Sequence, residues 1–280
     1  MKYYLVAGEA SGDLHGANLI KALKAEDASA SFRYFGGDKM KAEGGHLVKH
    51  YADMAFMGFT EVVMNLRAIL RNMKACKADI LTYQPDTLVL IDFPGFNLKI
   101  AEFAKKQGIK VCYYISPKIW AWNQKRVLKI KRDVDQMYCI LPFEVDFYKK
   151  WGMEVHYVGN PLLDEKANFT PDLNFQNKLE LGDQKIIALL PGSRKQEIER
   201  LLPDMLTITE KFPTYQFVIA AAPTFSPEYY YQFIGNKKVK LVFSQTYHLL
   251  QNAHAALVAS GTATLETALF KVPQVVLYRG

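Results

Sequence analysis

Four short stretches combine polar residues with glycine in ways that suit phosphate binding or proton transfer. Pro191–Gly192–Ser193–Arg194 follows the apolar run KIIALL (Lys185–Leu190) and precedes Glu197, Ile198 and Leu201 at helical spacing. Strand, glycine turn, serine, arginine and helix together offer backbone amides and a guanidinium to a phosphate. Ser260–Gly261–Thr262–Ala263–Thr264–Leu265–Glu266 follows the apolar run AALVA. Gly261 lets the backbone approach a ligand, and amides at the helix start face a diphosphate, which the helix dipole favours. Glu266 comes a turn later, placed to accept hydrogen bonds from ribose hydroxyls. In Ile91–Asp92–Phe93–Pro94–Gly95–Phe96–Asn97, Asp92 ends the apolar run LVLI and Pro94–Gly95 forces a turn. A desolvated carboxylate there has its pKa raised toward the range of a general base. The fourth stretch, AGEASGD (Ala7–Asp13), turns polar at Glu9, Ser11 and Asp13 after an apolar run. Each has a plainer structural alternative: a capped turn with a surface arginine, a capped helix with an exposed Glu266, a helix-capping Asp92, and a cap at Ser11 or Asp13 with a solvated Glu9.

The elements around these stretches define the fold class. Tyr3–Ala7, Leu88–Ile91, Val111–Ile115, Met137–Leu141 and Val155–Val158 read as strands, with helical patterns such as Leu98–Gln107 and Trp120–Val134 between them. The alternation predicts an α/β domain with a mostly parallel sheet and helices on both faces. It pauses at Gly159–Asn160–Pro161 and turns polar through Lys166–Asp183, where a linker is expected. A second series follows: Lys185–Leu190, Gln216–Ala221, Val239–Phe243, Ala255–Val258 and Gln274–Leu277. Two Rossmann-like domains are therefore predicted, residues 1–165 and 166–280. Such a pair makes a cleft, a preferred ligand site, and ligands sit beyond the carboxyl ends of the strands.

The 280 residues carry a formal charge of +7, which favours anionic partners such as nucleotides, phosphorylated lipids, a membrane surface or nucleic acid. Three cysteines, Cys76, Cys112 and Cys139, are widely spaced and suit a reducing compartment. The six histidines lack metal-ligand spacing, so no metal is predicted. No apolar stretch reaches the length of a spanning helix, and the run before Glu9 is too short for a signal peptide.

Two stretches stand apart. Met54–Met73 is rich in Met, Phe and Leu with Arg67 and Arg71 interspersed. It reads either as a core helix or as a surface for acyl chains or a membrane interface. Trp120–Arg132 sets Lys125, Arg126, Lys129, Lys131 and Arg132 behind two tryptophans. This is a solvated helix face, a membrane-interface segment or a single-strand nucleic-acid surface.

Taken together, AGEASGD (Ala7–Asp13), IDFPGFN (Ile91–Asn97), YYISPKIWAW (Tyr113–Trp122), LPFE (Leu141–Glu144), VGNPLLD (Val158–Asp164), LLPGSR (Leu189–Arg194) and SGTATLE (Ser260–Glu266) resemble the lipid-A-disaccharide synthase family of GT-B glycosyltransferases. The matches are collinear over nearly the whole chain. The resemblance implies an inverting transferase that joins UDP-2,3-diacylglucosamine to 2,3-diacylglucosamine 1-phosphate, giving the β-1,6-linked disaccharide 1-phosphate and UDP. By the same resemblance Asp92 is the candidate base, with Glu9 as alternative or partner. Gly192, Ser193, Arg194, Ser260, Gly261, Thr262 and Glu266 would hold UDP, and Asn160 would line the cleft. No cofactor is implied beyond the UDP-sugar donor. The implied location is the cytoplasm, peripheral on the cytoplasmic face of the inner membrane, with no nucleic-acid partner and with a homo-oligomer left open. Residues 1–165 would be the acceptor and lipid side, and residues 166–280 the UDP-sugar side. Where relatives often carry a second acidic residue, this chain has Gly95, which leaves Asp92 alone there. Relatives continue beyond the position of Gly280, so the second domain is expected to be truncated. The alternatives are another GT-B transferase or epimerase, which would act without lipid dependence, and a non-catalytic lipid-binding fragment.

Overall fold

The computed structural model describes residues 1–54, 66–182 and 184–279. The chain forms two compact units, Met1–Pro161 and Leu162–Gly280. The expected boundary between residues 165 and 166 falls inside the helix Pro161–Ala167.

The first unit holds strands β1 (Lys2–Ala7), β2 (Ser31–Gly36), β3 (His46–His50), β4 (Thr87–Ile91), β5 (Lys110–Tyr114), β6 (Gln136–Cys139) and β7 (His156–Tyr157). They pair in parallel in the order β3-β2-β1-β4-β5-β6-β7. The second unit holds β8 (Ile186–Leu190), β9 (Gln216–Ala221), β10 (Val239–Phe243), β11 (Ala253–Ala259) and β12 (Gln274–Leu277), parallel in the order β10-β9-β8-β11-β12. Each sheet thus grows outward from its first strand and reverses direction between its first and fourth strands. That reversal is the topological switch point where open α/β sheets bind ligands.

The apolar runs reflect burial on both faces. In the first sheet Tyr4, Val6, Leu88 and Leu90 pack into one core, and Leu5, Ala7, Val89 and Ile91 into the opposite one. In the second, Ala188 and Leu190 face one core while Leu189 faces the other. A strand buried on both sides needs apolar residues at every position, which erases the two-residue alternation. The helix Leu66–Tyr83 is tied to the first sheet by Asp79, which accepts two hydrogen bonds from Arg33 (2.7 and 2.6 Å) and one from Tyr4 (2.8 Å).

Several expectations need correction. β2 and β3 were not evident in the sequence: β2 carries Arg33 among its aromatics, and β3 (HLVKH) is a half-exposed edge strand with no apolar run. Val155–Val158 yields only the two-residue β7. Trp120–Val134 is two helices, Ile119–Trp122 and Arg126–Asp133. The polar stretch expected as a linker contains the helix Phe175–Lys178, and Phe175 is buried in the second core. The apolar part of Met54–Met73 lies largely outside the described residues.

Candidate active site

At the first switch point β1 and β4 pair with Ala7 opposite Ile91. Glu9 lies two residues past the end of β1 and Asp92 one past the end of β4, so the fold brings both predicted carboxylates to neighbouring strand ends. Asp92 and Phe93 both adopt left-handed backbone conformations, with φ of 44° and 50°. For residues other than glycine each such position costs about 1–3 kcal/mol and persists only where its surroundings over-determine it. Here they do. The Asp92 amide donates to the Tyr114 carbonyl at 3.0 Å. The Asp92 carbonyl accepts from Tyr113 Oη (2.6 Å) and Asn97 Nδ2 (2.8 Å). Asn97, fully buried, also reaches the carbonyls of Ile91 (3.2 Å) and Val6 (3.3 Å), which locks the ends of β1 and β4 together. Gly8 completes the turn, because a Cβ there would overlap the Phe93 ring.

Two structural alternatives are settled by this geometry. Asp92 is not the cap of the following helix: the N-cap of Pro94–Lys106 is Phe93, without a side-chain cap. Asp13 does not cap its own helix Ala10–Glu26, whose N-cap is Glu9, also without a side-chain cap. The buried Asp13 carboxylate instead accepts from the amides of Gly37 (2.7 Å), Lys39 (3.0 Å) and Met40 (3.1 Å), which fixes the loop after β2. Further along the same sheet edge, Glu144 is buried and accepts from the Leu141 amide at 3.0 Å, while Ser116 Oγ and Tyr148 Oη lie 2.9 Å apart. Burial raises the Glu144 pKa, and hydrogen bonds from the Leu141 and Ile140 amides only partly offset it.

At the second switch point β8 and β11 pair with Leu190 opposite Val258. Gly192 and Ser260 each follow those partners by two residues, so the two predicted phosphate-binding turns lie side by side. Ser193, Arg194, Ser260, Gly261 and Thr262 are all exposed. Gly192 has φ of 106°, where a side chain would be strained and a Cβ would meet the Glu197 carboxylate. Glu197 accepts from the Ser193 amide (3.1 Å), the Arg194 amide (3.3 Å) and Arg194 Nη1 (2.7 Å). A carboxylate thus already sits at the amides expected to meet phosphate, as a capping-box residue does. The helix Thr262–Leu269 has Gly261 as its N-cap and no side-chain cap, so neither Ser260 nor Thr262 serves as one. Glu266 is half-buried and accepts from Tyr247 Oη at 3.1 Å. Burial raises its pKa, the Tyr247 hydrogen bond opposes that, and the nearby Glu165 charge adds to the rise.

Asn160 follows β7, the edge strand of the first sheet, and so lies outside both switch points. Sequence reasoning did not single out Asn97, Tyr113 or Tyr247. Asn97 stands inside the IDFPGFN stretch and Tyr113 at the start of YYISPKIWAW, whereas Tyr247 carries no local signal. In the basic segment, Lys129 Nζ pairs with Glu102 (2.6 Å) and Arg132 with Asp133 (2.7 Å). Among the described residues no group of three His, Cys, Asp or Glu side chains could hold a metal, and no helix is long and apolar enough to cross a membrane.

Two parallel sheets with matched switch points form the architecture seen in UDP-GlcNAc 2-epimerases. The enzyme from Neisseria meningitidis, bound to UDP-GlcNAc, is similar at a TM-score of 0.69 and 15% identity over 100% of this chain and 83% of that one. The enzyme from Methanocaldococcus jannaschii, in complex with UDP-GlcNAc and UDP, is similar at 0.71 and 16% over 99% and 84%. At those identities the likeness defines the class, a pair of Rossmann-like domains of the GT-B type. Sequence narrows it further. The lipid-A-disaccharide synthetase family matches residues 3–280. The lipid-A-disaccharide synthase of Syntrophus aciditrophicus is 44% identical over 98% of this chain and 74% of its own length. That of Myxococcus xanthus is 41% identical over the same shares. The chain belongs to the lipid-A-disaccharide synthetase family, and its relatives are glycosyltransferases.

Proposed function

We propose that this chain transfers the sugar of UDP-2,3-diacylglucosamine, with inversion, to the 6-hydroxyl of 2,3-diacylglucosamine 1-phosphate, forming the β-1,6 disaccharide 1-phosphate and UDP. The observation that carries this reading is the division of chemistry between the two switch points. One has Asp92 on a strained backbone with Glu9 at the neighbouring strand end, and the other has an arginine, a glycine turn and an uncapped helix start.

An inverting transfer needs a base to take the acceptor proton as the glycosidic oxygen forms its bond. Asp92 has that role, with Glu9 beside it on the neighbouring strand end as alternative or partner. Charge develops on the departing diphosphate, and preorganised donors stabilise such charge most effectively. Arg194, the Ser193 and Arg194 amides and the turn Ser260–Gly261–Thr262 supply them, with Gly192 giving close approach and Glu266 meeting the ribose. Binding there requires the diphosphate to take over the amides that Glu197 holds. Asn160 is proposed as a further donor contact. The reading requires no cofactor beyond the donor.

Diacylated substrates place the reaction at a membrane surface. Leu66 and Leu70, about half exposed beside exposed Arg67 and Arg71 on the helix Leu66–Tyr83, support peripheral attachment at the cytoplasmic face of the inner membrane. Incubation with both lipid substrates and mass detection of the disaccharide tests the reading. Product with release of UDP is expected. Conversion of UDP-GlcNAc to its 2-epimer without disaccharide formation would overturn it in favour of an epimerase.

A further inference from the structure

Tyr247 lies on the helix Thr246–Asn252 that follows β10, whereas Glu266 lies on the helix that follows β11. The two are brought together only by the tertiary fold. The Tyr247 ring is held by Phe270 at 5.1 Å and by Phe169 at 5.7 Å, edge-on to the latter, and those two rings also meet each other at 5.5 Å. Lys166 Nζ sits 4.8 Å from the centre of the Phe270 ring and completes the cluster. A ring clamped this way has little freedom, so its hydroxyl has a fixed direction. That hydroxyl donates to Glu266 Oε1. Glu165 adds negative charge close to both groups, which disfavours a second charged carboxylate there and makes the donated hydrogen bond more consequential.

We infer that Tyr247 is the positioning residue that lets Glu266 recognise a ribose, so that this chain distinguishes a ribonucleoside diphosphate from its 2′-deoxy counterpart through Tyr247. The inference rests on the proposed role of Glu266 in donor binding and goes beyond it. A carboxylate on a flexible side chain can rotate to suit several hydroxyl patterns. Once one oxygen is held by a clamped phenol, the plane of the carboxylate is set, and its remaining acceptor capacity points one way. A site built around a fixed acceptor penalises a ligand that lacks the matching hydroxyl, because the acceptor is then left poorly satisfied.

The test measures binding of UDP and of 2′-deoxy-UDP by calorimetry to the wild-type chain, Tyr247→Phe, Glu266→Gln and the double variant. Tyr247→Phe keeps the ring and its aromatic contacts, and its unfolding midpoint is measured alongside. Wild type is expected to prefer UDP by about tenfold or more, and Tyr247→Phe to reduce the preference to about threefold or less, mainly by weakening UDP. Glu266→Gln is expected to lose the preference as well, with no further loss in the double variant. Equal weakening of both ligands in Tyr247→Phe would mark a merely structural role and overturn the inference. So would an unchanged preference in that variant. Absence of any UDP binding by wild type removes the functional reading and takes this inference with it, which separates the two failures.

Discussion

The two switch points share one topology and solve opposite problems. In the first sheet, residues with side chains are forced into left-handed backbone at Asp92 and Phe93, and the bend is held by Asn97, Tyr113 and the close fit of Phe93 over Gly8. At the second switch point, the left-handed position belongs to Gly192, and Ser193, Arg194, Ser260, Gly261 and Thr262 are exposed. Under the proposed function, the contrast matches what each end would have to present. A proton acceptor must be a side chain in a fixed direction, so the backbone bears the strain. An anion is met by amides, so the backbone must be approachable, and a glycine allows that.

The largest effect expected from breaking this contrast is on turnover. Asp92→Asn removes the proposed base while keeping size and shape, and disaccharide formation is expected to fall by about 10²–10⁴-fold with UDP affinity retained. Turnover at the normal rate would move the base elsewhere, with Glu9→Gln the next variant. At the second switch point, Arg194→Ala should raise the UDP dissociation constant by about 10- to 100-fold, the worth of a charge-assisted hydrogen bond of roughly 1.5–3 kcal/mol. Calorimetry reads this directly, and an unchanged constant would remove Arg194 from the phosphate site.

Exchanging the backbone solutions tests the comparison itself. Gly192→Ala puts a side chain at φ of 106° against the Glu197 carboxylate and should cost about 1–3 kcal/mol of stability. Asp92→Gly relieves strain at φ of 44° and is expected to leave stability within about 1 kcal/mol of wild type or raise it, with activity lost. Denaturant melts measure both. Strong destabilisation by Asp92→Gly would show that the bend there carries little strain.

The smallest effect is in pH dependence. Glu144 in the first unit and Glu266 in the second both have raised pKa values, with burial the leading cause in each. A carboxyl whose folded pKa exceeds its unfolded value binds protons more tightly in the folded state. Its contribution to stability is therefore present below the unfolded pKa and lost as pH rises toward the folded one. If Glu266 meets ribose as proposed, UDP affinity should run the other way, rising over the same range as Glu266 ionises. Glu144→Gln should flatten part of the stability slope and leave UDP affinity untouched, whereas Glu266→Gln should flatten both. A Glu144→Gln variant that changes the pH dependence of UDP binding would tie the two units together and blur the contrast.

The local signals in the chain were strong where one short segment does the whole job. The runs LVLI and IIALL are apolar at every position because their strands are covered on both faces, and that burial is written residue by residue. The turns PGSR and SGTATLE declare themselves because strand end, glycine and helix start are contiguous, and their register beside each other follows from the parallel pairing of β8 and β11. The edge strand HLVKH has no such signature, since half-exposed residues face no uniform environment.

The amino-acid sequence by itself therefore determined the class of fold, the strands of its two series other than β2 and β3, the family and the turns at the strand ends. Tertiary structure alone decided that Asp13 fastens the loop after β2, that Asp92 sits on a left-handed bend closed by Tyr113 and Asn97, and that Tyr247 faces Glu266. The physical reason is range. Burial and turn propensity act on a few consecutive residues and leave a local imprint, whereas a hydrogen bond between groups brought together by chain folding imposes no pattern on the residues in between.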